Sequence, residues 1–158
     1  MSIVTLVRRK AYTASLLAFR ALPAVVRRFL VRLVTPGYTV GAVCAIEHDG
    51  RVLFLRQPHR AGWSLPGGLL ERGETPAEGV VREIREETRL HVEVGEPVAT
   101  EVSPQVGRVD VIFRVRVDQR PEVQVGGEAK GFRWMHPREV PEVDESTEMI
   151  LDVLARHP

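Results

Sequence analysis

The segment 68–90, GLLERGETPAEGVVREIREETRL, constrains the chain more than any other. A helix inside it has a marked start. Thr75 suits the N-cap, Pro76 the first helical position, and Glu78 completes a Thr-x-x-Glu capping box. At about 100° per residue, Ala77, Val80, Val81, Ile84 and Thr88 share a core-facing arc, while Glu78, Arg82, Arg85 and Arg89 face solvent. Glu83, Glu86 and Glu87 share an arc of about 100° along the border of the core face. A solvated, salt-bridged surface accounts for Glu78–Arg82 and Arg82–Glu86 as i,i+4 pairs, worth roughly 0.3–0.5 kcal/mol each. It does not account for Glu83 beside Glu87, which are like charges at the same spacing. Clustered carboxylates at the edge of a buried face suit a hard divalent cation such as Mg2+ or Mn2+.

Around this helix the chain reads as short strands. Residues 39–46 are a continuous apolar run, His48-Asp49-Gly50 is a turn, and 51–56 return as a hairpin partner. Residues 57–62 form a loop. In 109–117, Val109, Val111, Phe113, Val115 and Val117 alternate with Asp110, Arg114 and Arg116 on the opposite face. Further strands are expected at 98–102 and 131–135, and a terminal helix at 146–157. Strands interspersed with helices predict an α/β class fold built as an α+β sandwich. The single cysteine, Cys44, excludes an intrachain disulfide and a zinc site built from several cysteines, and it reads as a small core residue. No apolar stretch approaches the roughly 18 residues of a membrane span.

The charge is divided unevenly. Residues 1–46 hold seven cations (Arg8, Arg9, Lys10, Arg20, Arg27, Arg28 and Arg32) and no acid, while residues 47–158 carry a net −6. The pattern predicts helix over 2–34, interrupted at Pro23, with a boundary near residue 36 at Thr35-Pro36-Gly37. Over 24–34, Val25, Val26, Phe29, Leu30, Leu33 and Val34 occupy one half of the wheel and Arg27, Arg28 and Arg32 the other, with Val31 as the misfit among the cations. Residues 1–36 are therefore expected to be a basic amphipathic helical arm, and 37–158 the main domain. Packing of the arm on the domain or on a second subunit is the first expectation. Contact with a membrane surface and a cleaved targeting peptide are alternatives. Nucleic acid is disfavoured, because no aromatic residues interleave the cations.

The segment 68–90 resembles the signature of the Nudix hydrolases, Gly-x5-Glu-x7-Arg-Glu-aliphatic-x-Glu-Glu-x-Gly-aliphatic. Gly68, Glu74, Arg82, Glu83, Ile84, Glu86, Glu87 and Leu90 stand at the required spacing, preceded by Leu65-Pro66-Gly67. Arg89 replaces the last glycine, at a cost on the order of 1 kcal/mol if it adopts the left-handed conformation. The resemblance implies a mixed β-sheet packed between helices. It also implies metal-dependent hydrolysis of a diphosphate linkage in a nucleoside diphosphate derivative, with ADP-ribose or a nucleotide-sugar as the first expectation. Glu83, Glu86, Glu87 and the Gly67 carbonyl become the expected ligands of Mg2+ (or Mn2+). Glu74 and Arg82 orient the helix, and Glu86 or Glu128 serves as the general base. Arg56 and Arg60 are candidates for contacting substrate phosphate. His59 in the same loop reads as bland, and Trp63 as packing beside the Pro-Gly-Gly turn. A homodimer in the cytoplasm, with peripheral membrane contact as an option, completes the expectation. The alternatives from other classes are a non-catalytic nucleotide-binding Nudix regulator, which would lose box carboxylates (here all three are present), and a membrane-surface protein that uses the basic arm.

Overall fold

The computed structural model describes residues 3–35 and 37–157, with side chains from residue 12 onward. Residues 1, 2, 36 and 158, and with them the expected boundary residue Pro36, lie outside the described residues. The chain divides into two compact units, Met1–Gly37 and Tyr38–Pro158.

The first unit contains α1 (Ile3–Ala21) and α2 (Ala24–Val34). Pro23 separates them: its φ is fixed near −53° and its carbonyl accepts the Arg27 amide, starting α2. Thr35 ends α2 in an extended conformation, with both its amide and its hydroxyl donating to the Val31 carbonyl. Among the described side chains of α2 none is buried.

The second unit is a seven-stranded mixed sheet. Its strands are β1 (Thr39–His48), β2 (Arg51–Arg56), β3 (Trp63–Ser64), β4 (Gly67–Leu69), β5 (Ala99–Ser103), β6 (Arg108–Arg116) and β7 (Gly131–Met135). β1 is the hub. It pairs antiparallel with β2 and β4, and parallel with β6 in continuous register from Thr39↔Arg108 to Glu47↔Arg116. β5 borders β6, while β3 and β7 flank β2. Helix α3 (Pro76–Thr88) and helix α4 (Glu145–Arg156) complete the unit, with a short 3-10 turn at Pro137–Glu139.

β1 from Ala42 to Ile46 and β2 from Val52 to Leu55 are apolar without a break because both faces of the sheet are covered there. Alternate residues of β1 serve different cores. Ala42, Cys44 and Ile46 pack with Val80 and Ile84 of α3, with Val111 and Phe113, and with Trp134. Val43 and Ala45 pack with Phe54 and Ile112, and with Ile150, Val153 and Leu154 of α4. Part of the face of β6 that carries its polar residues is interior as well: Asp110 and Ile112 are buried, and Arg114 donates to the Leu154 and His157 carbonyls at the end of α4, while Arg116 stays exposed. Cys44 is fully buried, and burial pushes its thiol up to about 12.

Candidate active site

Helix α3 begins as its residues dictate. The Thr75 hydroxyl accepts the Glu78 amide, and the Glu78 carboxylate accepts the Thr75 amide and hydroxyl. The helix ends at Arg89 in the left-handed region, φ 61° and ψ 10°. The strained alternative is thus the one adopted. Val80, Ile84 and Thr88 are fully buried, which fixes the rotation of the helix about its axis.

That rotation sets three carboxylates at three depths. Glu87 is buried, Glu83 is mostly covered and Glu86 is exposed. The Glu87 carboxylate accepts the Gly67 amide at 3.0 Å and the Gln57 side-chain amide. Gln57, itself buried, accepts the Ser64 hydroxyl at 3.0 Å. Burial is the chief cause that raises the Glu87 carboxyl to about 7; the hydrogen bond from Gly67 opposes it and the neighbouring charge of Glu83 adds to it.

Arg82 organises the outer part of the cluster. Its guanidinium grips both oxygens of Glu74, at 2.7 and 3.0 Å, and reaches Glu83 at 2.8 Å and the Leu69 carbonyl at 3.1 Å. Hydrogen bonding to Arg82 holds the Glu74 carboxyl down at about 2. The helix is thereby tied to the loop that precedes it and to β4.

Gly67 and Gly68 bring the backbone of β4 against this cluster. Gly67 has φ 143°, and a side chain there would strike the Ala42 carbonyl of β1. A Cβ on Gly68 would lie 2.5 Å from a Glu83 oxygen. Only glycine lets the strand and the carboxylates approach so closely.

A cavity of about 440 Å³ opens here, lined by Gly67, Gly68, Glu83, Glu86 and Glu87 together with Gln57, His59, Arg60, Arg108 and Glu128. Its size suits a small-molecule ligand. Glu128 stands at the rim, where its carboxylate meets His59 Nδ1 at 3.1 Å. Arg60 lines the cavity and pairs with Asp144 at 2.9 Å, whereas Arg56 pairs with Glu142 at 3.1 Å and does not line it. Trp63 packs under Arg133, 5.3 Å from the ring centroid, and is not a cavity residue. A second cavity of about 510 Å³ adjoins the first and shares His59, Arg60, Leu69 and Arg108 with it.

Two polar cavity residues escape the sequence reading. Gln57 offers no pattern, being one polar residue at a strand end. Arg108 had a usable signal: it stands two residues before Asp110 on one face of β6, and the two side chains pair at 2.7 Å.

In this arrangement the acids are occupied by protein partners, Glu83 by Arg82 and Glu87 by Gly67 and Gln57. Among the described residues no three His, Cys, Asp or Glu side chains converge to hold an ion. The donor set nevertheless suits a hard divalent ion: carboxylate oxygens beside backbone that lacks side chains, with one carboxyl desolvated and crowded by another.

Residues 35–153 match the NUDIX domain, so the chain belongs to the Nudix family, whose members generally use divalent metals such as Mg2+ or Mn2+. A MutT-like protein from Streptomyces ambofaciens is 38% identical over 61% of this chain. That match spans 62% of the relative's length, less than two thirds of it. A putative 8-oxo-dGTP diphosphatase from Bacillus subtilis is 28% identical over 66% of this chain and 70% of its own. Among solved structures, a NUDIX hydrolase from Nitrosomonas europaea superposes with a TM-score of 0.65 at 28% identity, over 77% of this chain and 70% of that one.

Proposed function

We propose that the chain is a metal-dependent pyrophosphohydrolase that cleaves a diphosphate linkage in a nucleoside diphosphate derivative. The observation that carries this is the single cavity lined by Glu83, Glu86, Glu87 and the Gly67-Gly68 backbone, with Arg60 among its walls. The three carboxylates and the Gly67 carbonyl would hold Mg2+ or Mn2+, which when bound neutralises phosphate charge and activates water.

The chain's own residues supply the rest. Arg82, locked onto Glu74, holds the helix and Glu83 in place. Arg60, which lines the cavity while paired with Asp144, is the cation placed to meet the anionic substrate. Water attacks a phosphorus atom, the bridging P–O bond breaks, and its electron pair leaves with the departing phosphate. The proton of the attacking water passes to a carboxylate, Glu86 on the helix or Glu128 at the rim. The adjoining cavity gives room for the nucleoside or its appended group.

ADP-ribose and nucleotide-sugars are the first substrates in this reading. A nucleoside triphosphate is the second, favoured by the relative named as an 8-oxo-dGTP diphosphatase. The test is a panel of ADP-ribose, nucleotide-sugars, dinucleotides and nucleoside triphosphates with Mg2+ and Mn2+, read by product mass. Hydrolysis that stops in excess chelator and returns with metal is the expected result. Turnover that persists in chelator would overturn the metal assignment, and a silent panel would favour the binding-only regulator.

Replacing Glu128 by Gln and Glu86 by Gln separates the two bases. The variant that flattens the acid limb of the pH–rate profile while leaving KM near its original value identifies the proton acceptor.

A further inference from the structure

Helix α2 presents six large apolar side chains on one side: Val25, Val26, Phe29, Leu30, Leu33 and Val34. Four of them, Val25, Phe29, Leu33 and Val34, are 60% to 82% exposed. At about 100° per residue this face spans half the wheel. Arg27 falls at one border, beside Val34, and Arg32 at the other, beside Val25, while Arg28 lies opposite the apolar face. Exposed apolar residues continue in α1 at Tyr12, Leu16 and Leu17.

We propose that this arm seats the protein on an anionic lipid surface, with α2 lying in the plane of the headgroups. The face is too wide for the narrow seam of a coiled coil, and it has the breadth of a helix immersed along its length. Arginines at both borders can lay their stems on acyl chains and hold their guanidinium groups among phosphates. The seven cations and absent acids of residues 1–46 complement a negative membrane and oppose the stacking of one arm on another. None of the described helices is long and apolar enough to cross a membrane, so the contact would be peripheral.

The test uses the full chain with vesicles of phosphatidylcholine, alone or mixed with phosphatidylglycerol, followed by flotation. The protein should float with the anionic vesicles at low salt and be released as salt rises. Phe29→Glu and Leu33→Glu should each weaken binding by about tenfold or more. Arg27→Gln and Arg32→Gln, at the two borders, should each weaken it about fivefold. Thermal melting of each variant verifies that the sheet domain is intact. Absence of flotation at low salt overturns the proposal, as does equal binding to neutral vesicles. Light scattering without lipid supplies the remaining outcome. A dimer that Phe29→Glu converts to a monomer, with no flotation of the parent protein, would assign the face to a second copy instead.

Discussion

Glu87 sits where burial works against its charge while the Gly67 amide and the Gln57 side chain favour it. Replacing it with Gln leaves the volume unchanged and removes the charge. Turnover should fall by at least about a hundredfold, with the urea midpoint in chelator little changed; unaltered turnover would take Glu87 out of the ion-binding set. Arg89 makes the reverse case, a residue whose backbone conformation suits another side chain. Arg89→Gly should raise stability by about 1 kcal/mol, seen as a higher urea midpoint with an unchanged slope. Glu74 carries a pH signature. Its folded carboxyl lies at about 2, below its ordinary 4.5, because Arg82 binds the charged form. The stabilisation is therefore present above about pH 4.5 and is lost as pH falls toward 2. Glu74→Gln should flatten the dependence of the urea midpoint on pH across that window; an unchanged slope would mean the pair adds nothing to folding.

At the level of elements, α3 was legible because its signals agree. The capping box, the apolar arc and the acid stripe all select one start and one rotation, and the buried Val80, Ile84 and Thr88 lie on the expected face. Thr75→Ala should cost about 1 kcal/mol by urea unfolding. β2 and β7 were legible to the residue, and β1 and β6 nearly so, since their apolar content exceeds what a turn would tolerate. β3 and β4 were not. Two and three residues cannot display a period, and Gly67 and Gly68 argue locally against a strand; their conformation comes from pairing with β2 and β1. The same reasoning applies to the cavity. The box residues announce themselves by spacing, whereas Gln57, His59 and Arg60 arrive through a loop whose path depends on Asp144 and Glu128, far away in sequence. The burial of Asp110 and Arg114 was not legible for a related reason: alternation along β6 does not show that Arg108 covers the one and the end of α4 the other.

Across the whole molecule, protection should be unequal. The amides of β1 are bonded on both sides and should exchange hydrogen only through global unfolding. Those of α2, a helix of 11 residues, should exchange quickly in the absence of lipid. Exchange followed by mass spectrometry would show this, and slow exchange in α2 would require a partner already bound to it.

The parallel pairing of Thr39 with Arg108 also governs how the protein is made. When β1 emerges from the ribosome, its hydrogen-bonding edge and its apolar side chains must wait for a strand not yet synthesised. Until then the glutamate helix lacks the part of its floor that Val111 and Phe113 supply, so the nascent chain is exposed to aggregation. Chaperone supply and translation speed, more than the stability of the finished sheet, should limit its yield in a foreign host.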